Sequence, residues 1–142
     1  MHKKLMLLAV TAAVAVLSSP PQVQAQASEA LSLTAQAVKE LTDYPALGKR
    51  YTVDLTALGG ADVRQIKKAA GLLQDALGKA RSGGDANAVH QLEMATNYAK
   101  ATMHKEARLS AEGALYYLCN QAGGQPSDVC DKVPKYGSYV AP

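Results

Sequence analysis

The sequence predicts an all-α fold, a small antiparallel helical bundle of three to four helices with one disulfide near the C-terminus. Three observations carry this expectation. Apolar residues recur three and four positions apart over long stretches, the chain is rich in Ala while holding no Phe and no Trp, and Gly- or Pro-bearing segments divide the stretches from one another. Alanine has the highest helix propensity and loses no side-chain entropy on folding, and its small side chain lets helix axes approach closely. A core of Leu, Val, Ile, Met and Ala therefore favours tight helix packing.

The N-terminus reads as a leader. His2, Lys3 and Lys4 give a positive start, Leu5 to Leu17 is an apolar run broken only by Thr11, and Pro20 and Pro21 end it before a series of small residues. That is the pattern of a secretory signal peptide covering residues 1–25, with cleavage after Ala25 or alternatively after Ala27. The apolar run is shorter than the roughly 20 residues a membrane-spanning helix needs, so no stable membrane insertion is expected. No Cys follows it to carry a lipid. The expected location is periplasmic or secreted, with residues 26–142 forming a single helical domain.

Removing the leader also removes Lys3 and Lys4, which lowers the basic residues from 15 to 13 against 12 acidic ones and the net charge from +3 to +1. So balanced a chain offers no large positive field to a nucleic acid, and none is expected as a partner. Cys119 and Cys130 are the only cysteines. An even number in an exported chain predicts a disulfide. Their spacing is not the Cys-x-x-Cys of a redox motif, which makes the bridge a structural staple.

Ser28 is placed as the cap of a first helix running to about Thr42, in which Leu31, Thr34, Val38 and Leu41 share one face. Tyr44 before Pro45 ends it. From Asp43 to Gly60 the alternation of Tyr51, Val53 and Leu55 with polar residues is a period-2 signal, but a lone short strand has no pairing partner, and the stretch reads as an ordered connection. Asp62 with Gln65 resembles a capping box for the second helix, whose face holds Val63, Ile66, Ala70, Leu73, Leu77 and Ala80. Ser82, Gly83 and Gly84 form a short link, and short links join antiparallel neighbours.

Asp85 is placed as the N-cap of the next element, where helical periodicity runs on to Gly123. Val89, Leu92, Thr96, Ala99, Met103, Ala107, Ser110, Ala114 and Tyr117 stay on one side. The pattern predicts helix on both sides of Leu109 to Gly113 and leaves open whether it is continuous or kinked there, where Ser110 and Gly113 weaken helix propensity. Ser127 is placed as the cap of one or two turns reaching Val133, which returns Cys130 to Cys119. Residues 134–142 read as an extended C-terminal tail.

Three groups of residues merit a functional reading. His90 and Met94 are four residues apart on one helix face, a spacing and donor set that suits copper(I), with nickel as a further metal, but neither His104 nor any other residue supplies an evident third ligand. His104 is placed with His90 on the face opposite the core. No nucleophile with an adjacent base, phosphate loop, calcium loop or haem attachment occurs, and the carboxylates read as solvated helix charges, so no catalytic residue is assigned and a non-enzymatic protein is expected. Tyr116, Tyr136 and Tyr139 cluster in the C-terminal quarter, and Tyr provides large, rigid contact area with a polar tip. The sequence thus points to a protein-interaction or complex-capping module whose partner is another protein. A small metal-binding protein using His90 and Met94 is the alternative, and an immunity- or inhibitor-type protein a further one.

Overall fold

A computed structural model of the chain describes residues 21–43, 60–83 and 85–133. Among them the fold is all-helical: α1 (Pro21–Asp43), α2 (Gly60–Gly83), α3 (Ala86–Lys100), α4 (His104–Gln121) and a single turn, α5 (Ser127–Cys130). The first four helices close a ring in which α1 packs against α2 and α4, and α3 against α2 and α4. The expected antiparallel bundle is the architecture found. Residues 1–20, the period-2 stretch around Tyr51 and the tail from Pro134 lie outside the described residues.

Cross-links between helices fix the directions. Glu40 near the end of α1 meets the start of α2, where Gln65 Nε2 donates to its backbone oxygen (3.3 Å) and to its carboxylate, and Lys68 Nζ lies 2.8 Å from Oε1. At the other end Lys79 of α2 lies 3.0 Å from Glu29 of α1. The pairs run in opposite order, so α1 and α2 are antiparallel. Exposed pairs of this kind contribute at most about 1 kcal/mol each, and their information is register.

Stability comes from the interior. Among the described residues, twelve of the 21 buried hydrophobic ones are alanines, set among Leu31, Leu41, Ile66, Leu73, Leu77, Leu92, Leu115 and Leu118. Thr34 and Thr96 are also buried, and each hydroxyl donates to the carbonyl one turn earlier, Ala30 and Leu92, at 2.6 and 2.7 Å. That satisfies the one polar atom each carries inward.

Helix boundaries depart from the sequence reading in four places. α1 begins at Pro21 and not after Ser28, because Pro is tolerated in a first turn and Gln22 to Ala27 contains good helix formers; Ser28 is an exposed residue within the helix. α2 begins at Gly60, which places Asp62 inside the first turn and not at the cap. Ser127 is the first residue of α5, capped by Pro126. The fourth departure is the largest.

The stretch after Asp85 is two helices joined by a reversal at Ala101 to Met103, neither one continuous helix nor one kinked near Leu109 to Gly113. Ser110 and Gly113 lie inside α4, and both are buried at its packing face. Thr102 makes the turn with φ of 59°. The reversal rotates α4 so that His104 faces inward at 2% exposure, correcting its assignment to the face opposite the core. Leu92, Thr96, Ala99, Ala107, Ser110 and Ala114 are buried as expected, while Val89, Met103 and Tyr117 are half-buried.

Asp85 does cap α3: its Oδ1 accepts from Asn87 N at 2.7 Å and Ala88 N at 3.4 Å. The same corner is tied to the far end of α4, where Gln121 Nε2 donates to Gly83 O at 2.6 Å and Gln121 Oε1 accepts from Asp85 N at 3.1 Å. One amide thus fastens the link between α2 and α3 to the last turn of α4.

Candidate functional site

α4 ends in a tight reversal at Gly123 and Gly124, both at positive φ, and the chain turns back through Pro126 into α5. Cys119 and Cys130 form the expected disulfide, with Cα atoms 5.6 Å apart. α5 has no buried residue. Val129 and Cys130 are only partly buried against the core, and the bond pins the turn there.

This placement creates a cleft of about 820 Å³ between α1, α4 and the stapled segment. Leu31, Ala35 and Val38 of α1 form one wall, Leu115 of α4 the floor, and Val129 and Val133 the opposite wall. Leu31 and Leu115 are 2% and 5% exposed, whereas Ala35, Val38, Val129 and Val133 are half-buried, so the apolar surface reaches from the core to the opening. Lys39, Glu112, Asp128 and Lys132 stand around it, and Ser32 and Gln36 add polar groups along α1. Two cations and two anions make a rim without a dominant sign. The volume falls within the roughly 300–1,000 Å³ typical of clefts that enclose ligands or side chains of a partner.

Of the tyrosines singled out in the sequence, Tyr116 is half-buried in α4 and sets its ring edge-on to Tyr117, with centroids 5.3 Å apart and planes at 78°. It is not part of the cleft lining. Tyr136 and Tyr139 lie outside the described residues. Val133, where the described chain ends, is in the cleft wall.

His90 is exposed and Met94 half-buried on α3, the helix diagonally across the bundle from α1. Among the described residues no group of three or more His, Cys, Asp or Glu is placed to hold a metal ion. His104 starts α4, and the ten residue steps of α3 from His90 to Lys100 set the two histidines about 15 Å apart along the bundle axis. No described helix is long and apolar enough to cross a membrane.

The cleft was not visible in the sequence as a site. Leu31 and Val38 lie on the predicted stripe of α1, but Ala35 does not, and Val129 and Val133 belong to a short segment with no periodicity to read. The disulfide was the available signal, since it requires residues 126–133 to return to α4. No protein-family model, curated protein or solved structure matches the chain.

Proposed function

We propose that this protein is an exported, non-enzymatic helical bundle that binds a segment of another protein in the cleft between α1, α4 and the disulfide-held C-terminal turn. The observation that carries this reading is the continuous apolar lining from Leu31 and Leu115 out to Val38 and Val129, ringed by charges of both signs. Apolar surface of this kind gains by leaving water, and a polar rim around an apolar centre is the anatomy of a protein interface. Export is supported by the leader pattern of residues 1–25 and by the disulfide, which persists in oxidising compartments.

Ala35→Arg tests the reading without removing any core side chain, because Ala35 is half-buried and arginine suits a helix. Chemical crosslinking of mature protein in periplasmic extract is expected to give a discrete adduct that disappears with Ala35→Arg and survives His90→Ala on the distant helix. An adduct unaffected by Ala35→Arg, or none at all, removes the cleft from consideration. Copper(I) and nickel(II) titration of the same His90→Ala variant checks the metal-binding alternative.

A further inference from the structure

We infer that Cys130 is a thiol-exchange site: a small thiol attacks its sulfur, Cys119 is released as a buried thiol, and the mixed disulfide at Cys130 unlatches the C-terminal turn from α4. The inference goes beyond the proposed function and rests only on where the fold puts the two sulfurs.

Burial is the first argument. Cys119 lies on the core-facing side of α4 with Leu115 and Leu118 and is 6% exposed. Cys130 ends α5, a turn without a buried residue, and is itself half-buried. Which sulfur of a disulfide an incoming thiolate attacks depends on access. From solvent, that sulfur is Cys130 Sγ.

Anchoring is the second. The amides of residues 129–133 bond to the carbonyls of Pro126, Ser127, Val129 and Cys130, all within the turn itself. Val129, Cys130 and Val133 pack only partly against the core, and the disulfide is the covalent tie that fixes them to α4. Opening it leaves the turn its own hydrogen bonds but removes its anchor.

The chemistry is a plain exchange. The attacking thiol gives up its proton, and its sulfur forms a new S–S bond to Cys130 Sγ. The bond between Cys119 and Cys130 breaks with its electron pair on Cys119 Sγ, which takes up a proton. One disulfide replaces another without net oxidation. Attack by Cys119 on the mixed disulfide expels the small thiol and restores the staple, so the step is reversible.

Charge selects the thiol. Asp128 and Asp131 are exposed two residues before and one residue after Cys130, and Lys132 follows them. The excess of negative charge favours a cationic thiol over an anionic one, and salt weakens the preference.

The test exposes the folded full chain briefly to cysteamine, quenches with acid and alkylates the free thiols. Cleavage before Asp128 then separates the two cysteines. Mass spectrometry is expected to find cysteamine on Cys130 and the alkyl group on Cys119 in at least about tenfold excess over the opposite pattern. In guanidinium chloride the preference should vanish, because both sulfurs are then accessible. In the folded adduct, amides at 129–133 should exchange with solvent faster than in the bridged chain. At low salt the ratio of cysteamine to mercaptoethanesulfonate rates should fall about twofold or more in Asp128→Asn/Asp131→Asn. Adduct on Cys119, equal amounts on both, no adduct in the folded chain, or unchanged amide exchange in the adduct each overturn the inference. A ratio unaffected by the two substitutions overturns the choice of a cationic thiol. Partner crosslinking enters none of these readouts, so failure of the proposed function leaves this inference standing.

Discussion

Thr102 and Gly123 perform the same backbone task with different chemistry. After α3, Met103 N bonds to Tyr98 O at 2.8 Å and Thr102 N to Ala99 O at 3.0 Å; after α4, Gly124 N bonds to Cys119 O at 2.8 Å and Gly123 N to Asn120 O at 3.2 Å. Both are Schellman endings, in which the residue after the cap takes a left-handed conformation. Gly123 does so at φ 68° without a Cβ penalty, whereas Thr102 does so at φ 59° with a β-branched side chain. This is why one helix end was legible in the sequence and the other was not. Nothing at Ala101–Met103 carries the usual mark of a stop, and Ser110 and Gly113, which do look like weak points, are buried inside α4 where small side chains suit close packing. Relief of the strained φ should outweigh the greater backbone entropy of glycine and the loss of the Thr102 hydroxyl contact to Ala101 O. Thr102→Gly is therefore expected to stabilise the protein by about 0.5–1 kcal/mol, raising Tm by a few degrees. A fall in Tm would mean that the Thr102 side chain contributes more than its strained backbone costs.

At the scale of elements, the stripes of α1 and α2 were readable because each faces one continuous core, and a 3.6-residue period records that geometry directly. The wider burial of α2 was not. Ala69 and Ala76 join Ile66, Leu73 and Ala80 in the interior because α2 touches both α1 and α3. A single hydrophobic stripe cannot announce two neighbours when half of the contact is made by alanine. α5 is the opposite case, a turn that has no buried residue and is positioned by a covalent bond whose partners are 11 residues apart. Closing so short a loop stabilises by about 2–3 kcal/mol in the chain-entropy model. Reduction is expected to lower Tm and, more specifically, to raise hydrogen-exchange rates of amides at 129–133 while those within α2 and α3 keep their protection. Since Val129 and Val133 form a wall of the cleft, the same treatment should weaken partner capture. Unchanged exchange at 129–133 after reduction would show that packing alone holds the segment, and that the bond is dispensable to the site.

The whole molecule is shaped by how α1 lies along α2, and that contact bears on processing. At Gly83 the two backbones come so close that a Cβ built there would stand 2.5 Å from Val23 O and 3.1 Å from Val23 C, with no flexible side-chain atom to move aside. Val23 belongs to α1 in the chain as synthesised, yet it falls within the leader if cleavage follows Ala25. Gly83→Ala therefore has an effect whose sign depends on the N-terminus. In a chain retaining Val23 the added methyl forces the helices apart, at a cost of about 1–3 kcal/mol as for other overpacked sites. In a chain beginning at Gln26 the obstructing carbonyl is gone, and replacing a helical glycine by alanine contributes up to about 0.5–1 kcal/mol of stability. Denaturant unfolding of both forms, each with and without Gly83→Ala, measures the difference, and the N-terminal sequence of exported protein identifies which form exists. If the substitution destabilises both forms equally, the close approach at Gly83 does not depend on Val23. If the exported protein retains Val23, residues 21–25 are part of the working bundle and the leader ends before them.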